Sequence, residues 1–356
     1  MARFAPDLIA WQQSAGRHDL PWQNTTDPYR IWLSEIMLQQ TQVTAVIPYY
    51  QRFLERFPDV ATLAAAPLDA VMQLWSGLGY YSRARNLHAC ARQVVDQFGG
   101  RFPSDPAQLA TLPGVGRSTA AAIAVFAFQA RAAILDGNVK RVLCRVFAIA
   151  GYPGERRVEE RLWDLAGQLL PTDPAILPAY TQGLMDLGAT LCKPRNPACL
   201  ACPMTASCGA LAQGLVERLP TPKARAPLPE RRAALLLLRH GDAVLLHKRP
   251  PLGIWGGLWS LPELAEAGLP EALTEARLVG ARFGTVASVT PGTPFAHAFT
   301  HFRLQVLPVQ VTLRERAPVL NDPAAGHAWM ALVEAVAAGL PAPVRKLLAG
   351  LDQTAG

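Results

Sequence analysis

The sequence predicts a mainly α-helical N-terminal part followed by a smaller α+β C-terminal part. Up to residue 213, alanine-rich segments with helical periodicity alternate with short turns, as in residues 85–98 and 118–128. Residues 214–232 are rich in proline and basic side chains, which is typical of a linker. Strand-like runs follow, including a hairpin pattern at 233–249 that turns at residues 240–242, before residues 329–351 return to a helical pattern. We expect a helical domain over residues 1–213, a linker over 214–232 and a second domain over 233–356.

Composition and charge narrow the class of protein. The chain has 356 residues, of which 50% are apolar and 17% charged, so two domains with cores of their own are expected. The net charge of +7 favours a polyanionic partner such as a nucleic acid. Its N-terminal stretch lacks an apolar run of signal-peptide length, and no later stretch can span a membrane. We expect a cytoplasmic protein with no membrane partner.

Four of the six cysteines lie close together, at Cys192, Cys199, Cys202 and Cys208. Their spacing, C-x6-C-x2-C-x5-C, allows four thiolates in one loop to wrap a single inorganic centre, and a 4Fe-4S cluster is one such centre. Tetrahedral zinc is the alternative, although two separated C-x2-C pairs would suit zinc better. Disulfides are not expected without export from the cytoplasm. The sequence therefore predicts one 4Fe-4S cluster on loop 192–208, with zinc left open.

Residues 111–119 contain a glycine-rich turn between two predicted helices. A helix capped at Ser104 is expected to end near Leu112, and Gly114 and Gly116 then turn the chain into the next helix. The amides that begin the second helix can hold a phosphate. This arrangement resembles the helix-hairpin-helix that grips one DNA backbone. An ordinary corner with a glycine cap is the alternative interpretation.

Glu35 is the first candidate for a reactive acid. Asp27 and Pro28 form a cap-and-proline start for a helix that continues through residue 38. On that helix Arg30 and Ser34 share a polar side, whereas Glu35 falls among apolar positions. A carboxyl in such surroundings has a raised pKa and stays protonated near neutrality, as a general acid requires. A glutamate hydrogen-bonded to a neighbouring loop would give the same pattern.

Asp136 is the second candidate. It follows an apolar run and precedes a predicted helix, so it is expected to cap that helix. The helix N-terminus favours the ionised carboxylate. One neutral acid and one carboxylate are the pair that cleavage of a glycosidic bond through an oxocarbenium-like state requires.

Taken together, these motifs resemble the adenine DNA glycosylases of the MutY family, within the endonuclease III-like superfamily. The matching segments run through most of residues 1–215 and are LPW at 20–22, SEIMLQQTQV at 34–43, GLGYYSRARNLH at 77–88, LPGVGRST at 112–119, LDGNVKRV at 135–142, QGLMDLGAT at 182–190 and the four-cysteine loop. The resemblance implies a helix-hairpin-helix fold of two helical lobes, with a 4Fe-4S loop and a flipped base bound between the lobes.

The resemblance also implies roles for individual residues. Glu35 would protonate adenine at N7, and Asp136, supported by Asn138, would stabilise the sugar cation. DNA would be contacted by Gln40 as the wedge, Thr41, Tyr80 and the hairpin residues Gly114, Gly116 and Ser118. Trp22 and Gln182 would line the adenine pocket.

Ser118 stands where the endonuclease III branch has a lysine that attacks the sugar and enables strand cleavage. Serine cannot form a Schiff base, so base excision without an efficient lyase step is expected. Its ordinary role at this position would be to cap the helix.

The C-terminal part resembles the family's Nudix-like module at residues 248–263 and 295–304, but the acidic metal-binding string of true Nudix hydrolases is missing. Glu263, Glu266, Glu271 and Glu275 do not reproduce it. The resemblance therefore implies a recognition domain for 8-oxoguanine. Its reading loop would be Phe299, Thr300 and His301, with threonine where many relatives have serine.

The resemblance thus implies a monomeric repair enzyme acting on double-stranded DNA that contains adenine opposite 8-oxoguanine or, less well, guanine. It would leave an abasic site. The alternatives are an endonuclease III-like glycosylase with lyase activity on oxidised pyrimidines, and a non-catalytic Fe–S DNA-binding protein. Ser118 argues against the first, and the presence of both Glu35 and Asp136 argues against the second.

Overall fold

The computed structural model describes residues 2–223, 227–251, 253–299, 301–317 and 326–352. The chain forms two compact units, Met1–Ala66 with Arg85–Arg225, and Pro67–Ala84 with Ala226–Gly356. Residues 67–84 thus belong with the C-terminal unit, although they lie within the helical part of the sequence. In the described ranges every helix is too short or too polar to cross a lipid bilayer.

Helices make up the first unit and cover part of the second. In chain order they are α1 (Phe4–Ala15), α2 (Pro28–Leu38), α3 (Val43–Arg56), α4 (Val60–Ala65), α5 (Leu68–Trp75), α6 (Ser82–Phe98), α7 (Pro106–Leu109), α8 (Arg117–Phe128), α9 (Gly137–Val146), α10 (Arg156–Gln168), α11 (Leu177–Asp186), α12 (Gly209–Ala212), α13 (Leu269–Phe283), α14 (Leu332–Ala337) and α15 (Ala342–Asp352). Single 3₁₀ turns lie at Pro174–Ile176, Cys199–Ala201 and Thr205–Ser207, and a π turn at Leu187–Leu191 extends α11.

One core of the first unit joins α1 to α8, α9, α10 and α11. It includes Leu8 of α1, Leu143 of α9 and Leu162 of α10, all essentially inaccessible to solvent. A Cβ added to Gly183 of α11 would lie 3.1 Å from Leu8 Cγ, so glycine at this position allows α1 and α11 to approach closely. This contact places the end of α1 beside the C-terminal half of α11.

The second unit is built on a mixed sheet. Its strands are β1 (Glu230–His240), β2 (Ala243–Lys248), β3 (Trp259–Ser260), β4 (Glu263–Leu264), β5 (Gly284–Pro291), β6 (Phe295–Ala298), β7 (Arg303–Arg316) and β8 (His327–Ala331). The main path runs β3-β2-β1-β7-β5, with β4 on β1, β6 on β7 and β8 on β2. The pairing of β1 with β7 is parallel, and the remaining pairs are antiparallel.

Both faces of this sheet are covered, which explains the continuous apolar run at residues 233–238 of β1. Leu235 and Leu237 of β1 pack in the core that contains α14 and α15. Leu236 and Leu238 pack in the core that contains α13. Because successive side chains of a strand point to opposite faces, a strand buried on both sides has no polar alternation.

The predicted succession of a helical part and an α+β part is confirmed, as is the hairpin, since His240 pairs with Ala243 across Gly241 (φ 58°) and Asp242. Three local predictions were wrong. Asp105, rather than Ser104, caps α7 by accepting the Ala107 N–H. The helical pattern expected from residue 329 begins later, because residues 327–331 pair with β2 and form strand β8. Ser34 is buried and donates to the Ile31 carbonyl, so it does not share an exposed polar side with Arg30.

Candidate active site

A cavity of about 480 Å³ lies in the first unit and is its candidate site. Side chains from α1, α2, α3, α8 and α11 line it, together with the loop that follows α1. Three residues predicted from the sequence, Trp22, Glu35 and Gln182, lie on its wall. Ligand sites are typically concave, with apolar walls and polar groups that orient the ligand, and this cavity offers both, since Trp22 and Phe126 lie on its wall with Glu35 and Gln182.

Glu35 projects from α2, whose start is fixed by the predicted cap. Asp27 accepts the Tyr29 N–H at 2.9 Å, and Pro28 occupies the first helical turn. The neighbouring side chains of α2 are almost all buried, including Ile31, Leu33 and Ile36. Part of the Glu35 side chain faces the cavity, but burial of its carboxyl, reinforced by the charge of Asp136, raises the pKa from 4.5 to about 8. Glu35 therefore carries a proton at neutral pH.

Asp136 caps α9 as predicted and accepts the Val139 N–H at 2.8 Å. Burial raises the pKa of Asp136 overall. The amides of Val139 and Asn138 and the charge of Arg141 act in the opposite direction but are the smaller effects. The expectation that the helix N-terminus would dominate was wrong, because the desolvation of this carboxyl, which depends on tertiary packing, outweighs it.

Asn138 is held beside Asp136 by Arg141. The Arg141 Nη2 donates to Asn138 Oδ1 at 2.9 Å and to the Gly188 carbonyl at 2.7 Å, and its Nε donates to the Cys192 carbonyl at 2.7 Å. A Cβ on Gly188 would lie 2.6 Å from Asn138 Cβ. The start of α9 is therefore packed tightly against the end of the α11 segment and the first cysteine.

The two predicted pocket residues have defined partners. Trp22 is buried and packs edge-on against Tyr50, with ring centroids 5.4 Å apart. Gln182 Nε2 donates to Asp186 Oδ1 at 2.8 Å. Asp186 in turn binds Arg17, with Nη2 2.6 Å from Oδ1. Sequence reasoning missed Arg17 and Asp186, because the two residues lie 169 positions apart and neither has a local signal.

The glycine-rich turn has the backbone that the sequence predicted. Gly114 has φ +77°, and a Cβ there would lie 2.9 Å from Asn86 Cβ. Gly116 precedes α8 with ordinary dihedral angles and open space around it. Ser118 does not cap α8; its Oγ accepts the Leu135 N–H at 2.9 Å. The hydroxyl therefore ties the hairpin to the segment that ends at Asp136.

Two of the other predicted DNA-contacting residues adopt left-handed backbone conformations, Gln40 with φ 57° and Tyr80 with φ 49°. Tyr80 is 42% exposed, and Gln40 is also exposed. Non-glycine residues in this region carry strain, which concentrates at binding sites. Thr41 donates from its hydroxyl to the Gln39 carbonyl at 3.3 Å, next to the end of α2.

The four cysteines of loop 192–208 line one pocket, which α9 closes with Val142, Arg145 and Val146. Two N–H groups approach sulfur, Arg145 Nη1 at 3.5 Å from Cys192 Sγ and the Met204 amide at 3.4 Å from Cys202 Sγ. Hydrogen bonds of this kind are a usual environment for cluster thiolates. In the described part of the chain no group of His, Cys, Asp and Glu is arranged around a single metal ion. The four thiols around a shared pocket nevertheless fit the donor set of a cluster.

The predicted reading loop lies at the turn between β6 and β7. Phe299 donates its N–H to the Phe302 carbonyl at 2.9 Å, and the two rings stack at 4.4 Å. His301 is exposed and packs edge-on against Phe302. Thr300 lies outside the described residues.

The glutamates near the Nudix-like segment have structural partners. Glu263 pairs with Arg249 at 3.1 Å. Glu275 accepts the backbone N–H groups of Ala265 and Glu266 at 2.9 Å each.

Two family models match the chain. Residues 33–168 match the HhH-GPD superfamily of base excision DNA repair proteins, and residues 233–350 match the NUDIX domain. The first match lies within the helical part of the chain and the second within the α+β part.

Curated relatives match nearly the whole chain. An adenine DNA glycosylase of Buchnera aphidicola subsp. Baizongia pistaciae is 34% identical over 346 residues, which is 97% of this chain and 95% of the relative. An adenine DNA glycosylase of Homo sapiens is also 34% identical, over 97% of this chain and 73% of its own length.

Solved structures match the helical part. A thermostable thymine-DNA glycosylase has a TM-score of 0.55 and 31% identity, over 60% of this chain and 96% of that one. A non-covalent endonuclease III–DNA complex has a TM-score of 0.50 at 23% identity, over 59% and 94%, and shows the shared fold.

Proposed function

The chain belongs to the adenine DNA glycosylase family, and on that premise we propose that it hydrolytically excises adenine mispaired with 8-oxoguanine and, less well, with guanine. The resemblance that the sequence motifs suggested is thereby confirmed, and the chain is a monofunctional DNA glycosylase. We propose that it acts as a monomer on double-stranded DNA and leaves an abasic site.

The observation that carries this proposal is the protonated Glu35 on the cavity wall, which is electrostatically coupled to Asp136. Glu35 keeps its proton up to a pH of about 8 and faces the cavity of about 480 Å³. It would donate this proton to N7 of the flipped adenine, which draws electrons out of the C1′–N9 bond. Asp136, with Asn138 beside it, would stabilise the oxocarbenium-like sugar through its negative charge. Water then completes the hydrolysis.

Adenine would occupy the cavity between Trp22 and Gln182. Extruding a base from the duplex costs a few kcal/mol, which backbone contacts and a wedging side chain offset. Gln40 would fill the vacated position in the stack, and Thr41 and Tyr80 would also contact DNA. The left-handed backbone of Gln40 and that of Tyr80, each within its own unit, support a binding role for these two residues.

The hairpin at residues 112–119 would hold one DNA backbone. Gly114 and Gly116 are exposed, so a phosphate can approach their backbone without meeting a Cβ. Ser118 offers no amine, and its hydroxyl is already engaged by Leu135. Its chemistry supports base excision without a Schiff-base lyase step.

We further propose that Cys192, Cys199, Cys202 and Cys208 hold one 4Fe-4S cluster. The cluster would supply a rigid crosslink for loop 192–208, whose exposed Lys193 and Arg195 can meet phosphate. Arg145 already orders this loop by donating to the carbonyls of Lys193 and Pro194.

The C-terminal unit would recognise 8-oxoguanine through Phe299, Thr300 and His301. The stacked pair Phe299–Phe302 gives the loop an aromatic body, and exposed His301 adds hydrogen-bonding groups at its tip. The pairing of Glu263 and Glu275 with groups of their own unit supports a recognition role over metal-dependent hydrolysis.

The test is incubation of the purified protein with duplexes carrying adenine opposite 8-oxoguanine, guanine or thymine, followed by splitting with and without hot alkali. We expect breaks only after alkali, fastest opposite 8-oxoguanine. Breaks without alkali would instead support the lyase alternative, and no breaks at all the DNA-binding alternative. Glu35→Gln should abolish release, whereas Glu160→Gln, an exposed residue of α10 paired with Arg156, is the matched control.

A further inference from the structure

Asp186 is a buried carboxylate whose hydrogen bonds converge from two elements. Its side chain is inaccessible to solvent, although it stands at the last residue of α11. From the loop after α1, Arg17 donates its backbone N–H to Oδ2 at 2.9 Å and its Nε to Oδ1 at 2.7 Å. Gln182 Nε2 donates to the same Oδ1 at 2.8 Å. A buried carboxylate paired in this way is a rigid acceptor.

The chemistry of this carboxylate fixes the orientation of the Gln182 amide. An ionised carboxylate only accepts hydrogen bonds, so Gln182 must present its nitrogen to Asp186. Its Oε1 then has no hydrogen-bond partner in the described residues, although the side chain lines the cavity. The hydrogen bond from Gln182 Nε2 to Asp186 therefore determines that the amide atom available to a ligand is the acceptor Oε1.

We propose that Arg17 and Asp186 are positioning residues that hold Gln182 Oε1 as an acceptor for the exocyclic amino group of the base in the cavity. This inference rests on the proposed function and names how the site selects its base. A 6-amino purine donates to Oε1, whereas a 6-keto purine brings a second acceptor against it. Rotating the amide to suit a keto group would break the hydrogen bond to Asp186 and set Gln182 Oε1 against Asp186 Oδ1, two acceptors with no proton between them. Selection against keto bases then comes from Asp186, which does not line the cavity, and from Arg17, which lines it and also binds Asp186.

The experiment compares three base analogues in the parent protein and in a variant of Asp186, the residue that fixes the orientation of the Gln182 amide. The values of kcat/KM are measured for adenine, for purine, which lacks the 6-amino group, and for hypoxanthine, which carries a 6-keto group. Each base is placed opposite 8-oxoguanine. In the parent protein we expect removal of the amino group to lower kcat/KM by about tenfold beyond the intrinsic reactivity difference, the size of one hydrogen bond.

In Asp186→Asn the new amide can donate as well as accept, so Gln182 is free to rotate. The ratio of adenine to purine should fall toward the intrinsic value, and the ratio of adenine to hypoxanthine should fall with it. A purely structural role for Asp186 would lower all three kcat/KM values by the same factor and leave the ratios unchanged, which would overturn the proposal. Asp173→Asn, at an exposed helix cap, is the matched control.

Arg17→Lys provides a second variant if Asp186→Asn folds poorly. It keeps the positive charge but loses the Nε and Nη2 pair on Oδ1, so its ratios should lie between those of the parent protein and Asp186→Asn. Ratios identical to those of the parent protein would count against the proposal. Failure of the parent protein to release adenine from any duplex would instead contradict the proposed function, so the two outcomes are distinguishable.

Discussion

Burial and, after it, the charge of Asp136 raise the pKa of Glu35, so the two carboxyls of the site are electrostatically coupled. Their surroundings differ in one respect that decides which keeps the proton. Asp136 accepts the Val139 N–H and lies near Arg141, whereas Glu35 accepts no hydrogen bond from the described residues. The amides and the guanidinium favour the charged form of Asp136, so the shared proton belongs on Glu35.

This coupling predicts the pH dependence of base release. Because Glu35 must be protonated to act as the acid, the single-turnover rate should be flat near neutrality and fall about tenfold per pH unit above about 8. The measurement is adenine release under single-turnover conditions from about pH 6 to pH 9.5. A rate that rises through this range would contradict the assignment of Glu35 as the acid.

The same residue should cost the folded protein stability at alkaline pH. Folding raises the pKa of Glu35, so the folded state binds this proton more tightly, and the stabilisation present at low pH is lost as the pH rises from 4.5 toward about 8. Glu35→Gln removes the ionisation. Each tenfold change in proton affinity is worth about 1.4 kcal/mol. We compare the free energy of unfolding of Glu35→Gln with that of the parent protein by urea denaturation. Between pH 5 and pH 8.5 this difference should change by at least about 2 kcal/mol in favour of the variant. If this difference did not change with pH, the carboxyl of Glu35 would be hydrated in the folded protein and its pKa would not be raised.

Asp136 combines two roles that two substitutions should separate. Asparagine can still accept the Val139 N–H as a helix cap, whereas alanine cannot. Both Asp136→Asn and Asp136→Ala should lose base release, because neither carries a negative charge. Only Asp136→Ala should also lose about 1 kcal/mol of stability beyond any effect of removing the buried charge. Activity assays beside thermal unfolding separate the two, and rapid release by Asp136→Asn would contradict the proposed role of its charge.

The two hairpin glycines should respond differently to alanine. At Gly114 a side chain would need a left-handed backbone and would meet Asn86, so Gly114→Ala should lower stability by about 1 kcal/mol or more as well as DNA affinity. At Gly116 nothing lies within 4 Å and the dihedral angles are ordinary, so Gly116→Ala should fold normally. If a phosphate approaches this backbone, Gly116→Ala will nevertheless bind DNA less tightly. Equal affinity of Gly116→Ala and the parent protein would place the phosphate elsewhere.

Features with a local cause could be predicted from the sequence. The caps at Asp27 and Asp136 follow from the residue type and the helix that comes next, and the raised pKa of Glu35 follows from its position on α2. The turn at Gly241 could likewise be predicted from the two apolar runs on either side of it, which form β1 and β2.

Features set by distant partners could not be predicted. The Oγ of Ser118 binds Leu135 instead of capping α8, and the pKa of Asp136 rises because of packing that no local pattern encodes. Residues 67–84 offer another case. The carbonyl of Leu340 accepts hydrogen bonds from the hydroxyls of Ser76 and Tyr81, and these contacts join distant parts of the chain.

Removal of one cluster ligand should test the metal assignment. We expect Cys199→Ser to lose iron and visible absorbance, and to bind DNA less tightly at low salt, because loop 192–208 would lose its crosslink. Cys90→Ala is the control, since Cys90 is fully buried in α6 and burial raises its pKa to about 12, which makes it a poor metal ligand. The readouts are iron and zinc content, the absorbance spectrum and the salt dependence of binding. If the parent protein is colourless and contains one equivalent of zinc, the cluster assignment is wrong. The four cysteines would then form the tetrahedral zinc site that the cysteine spacing had left open.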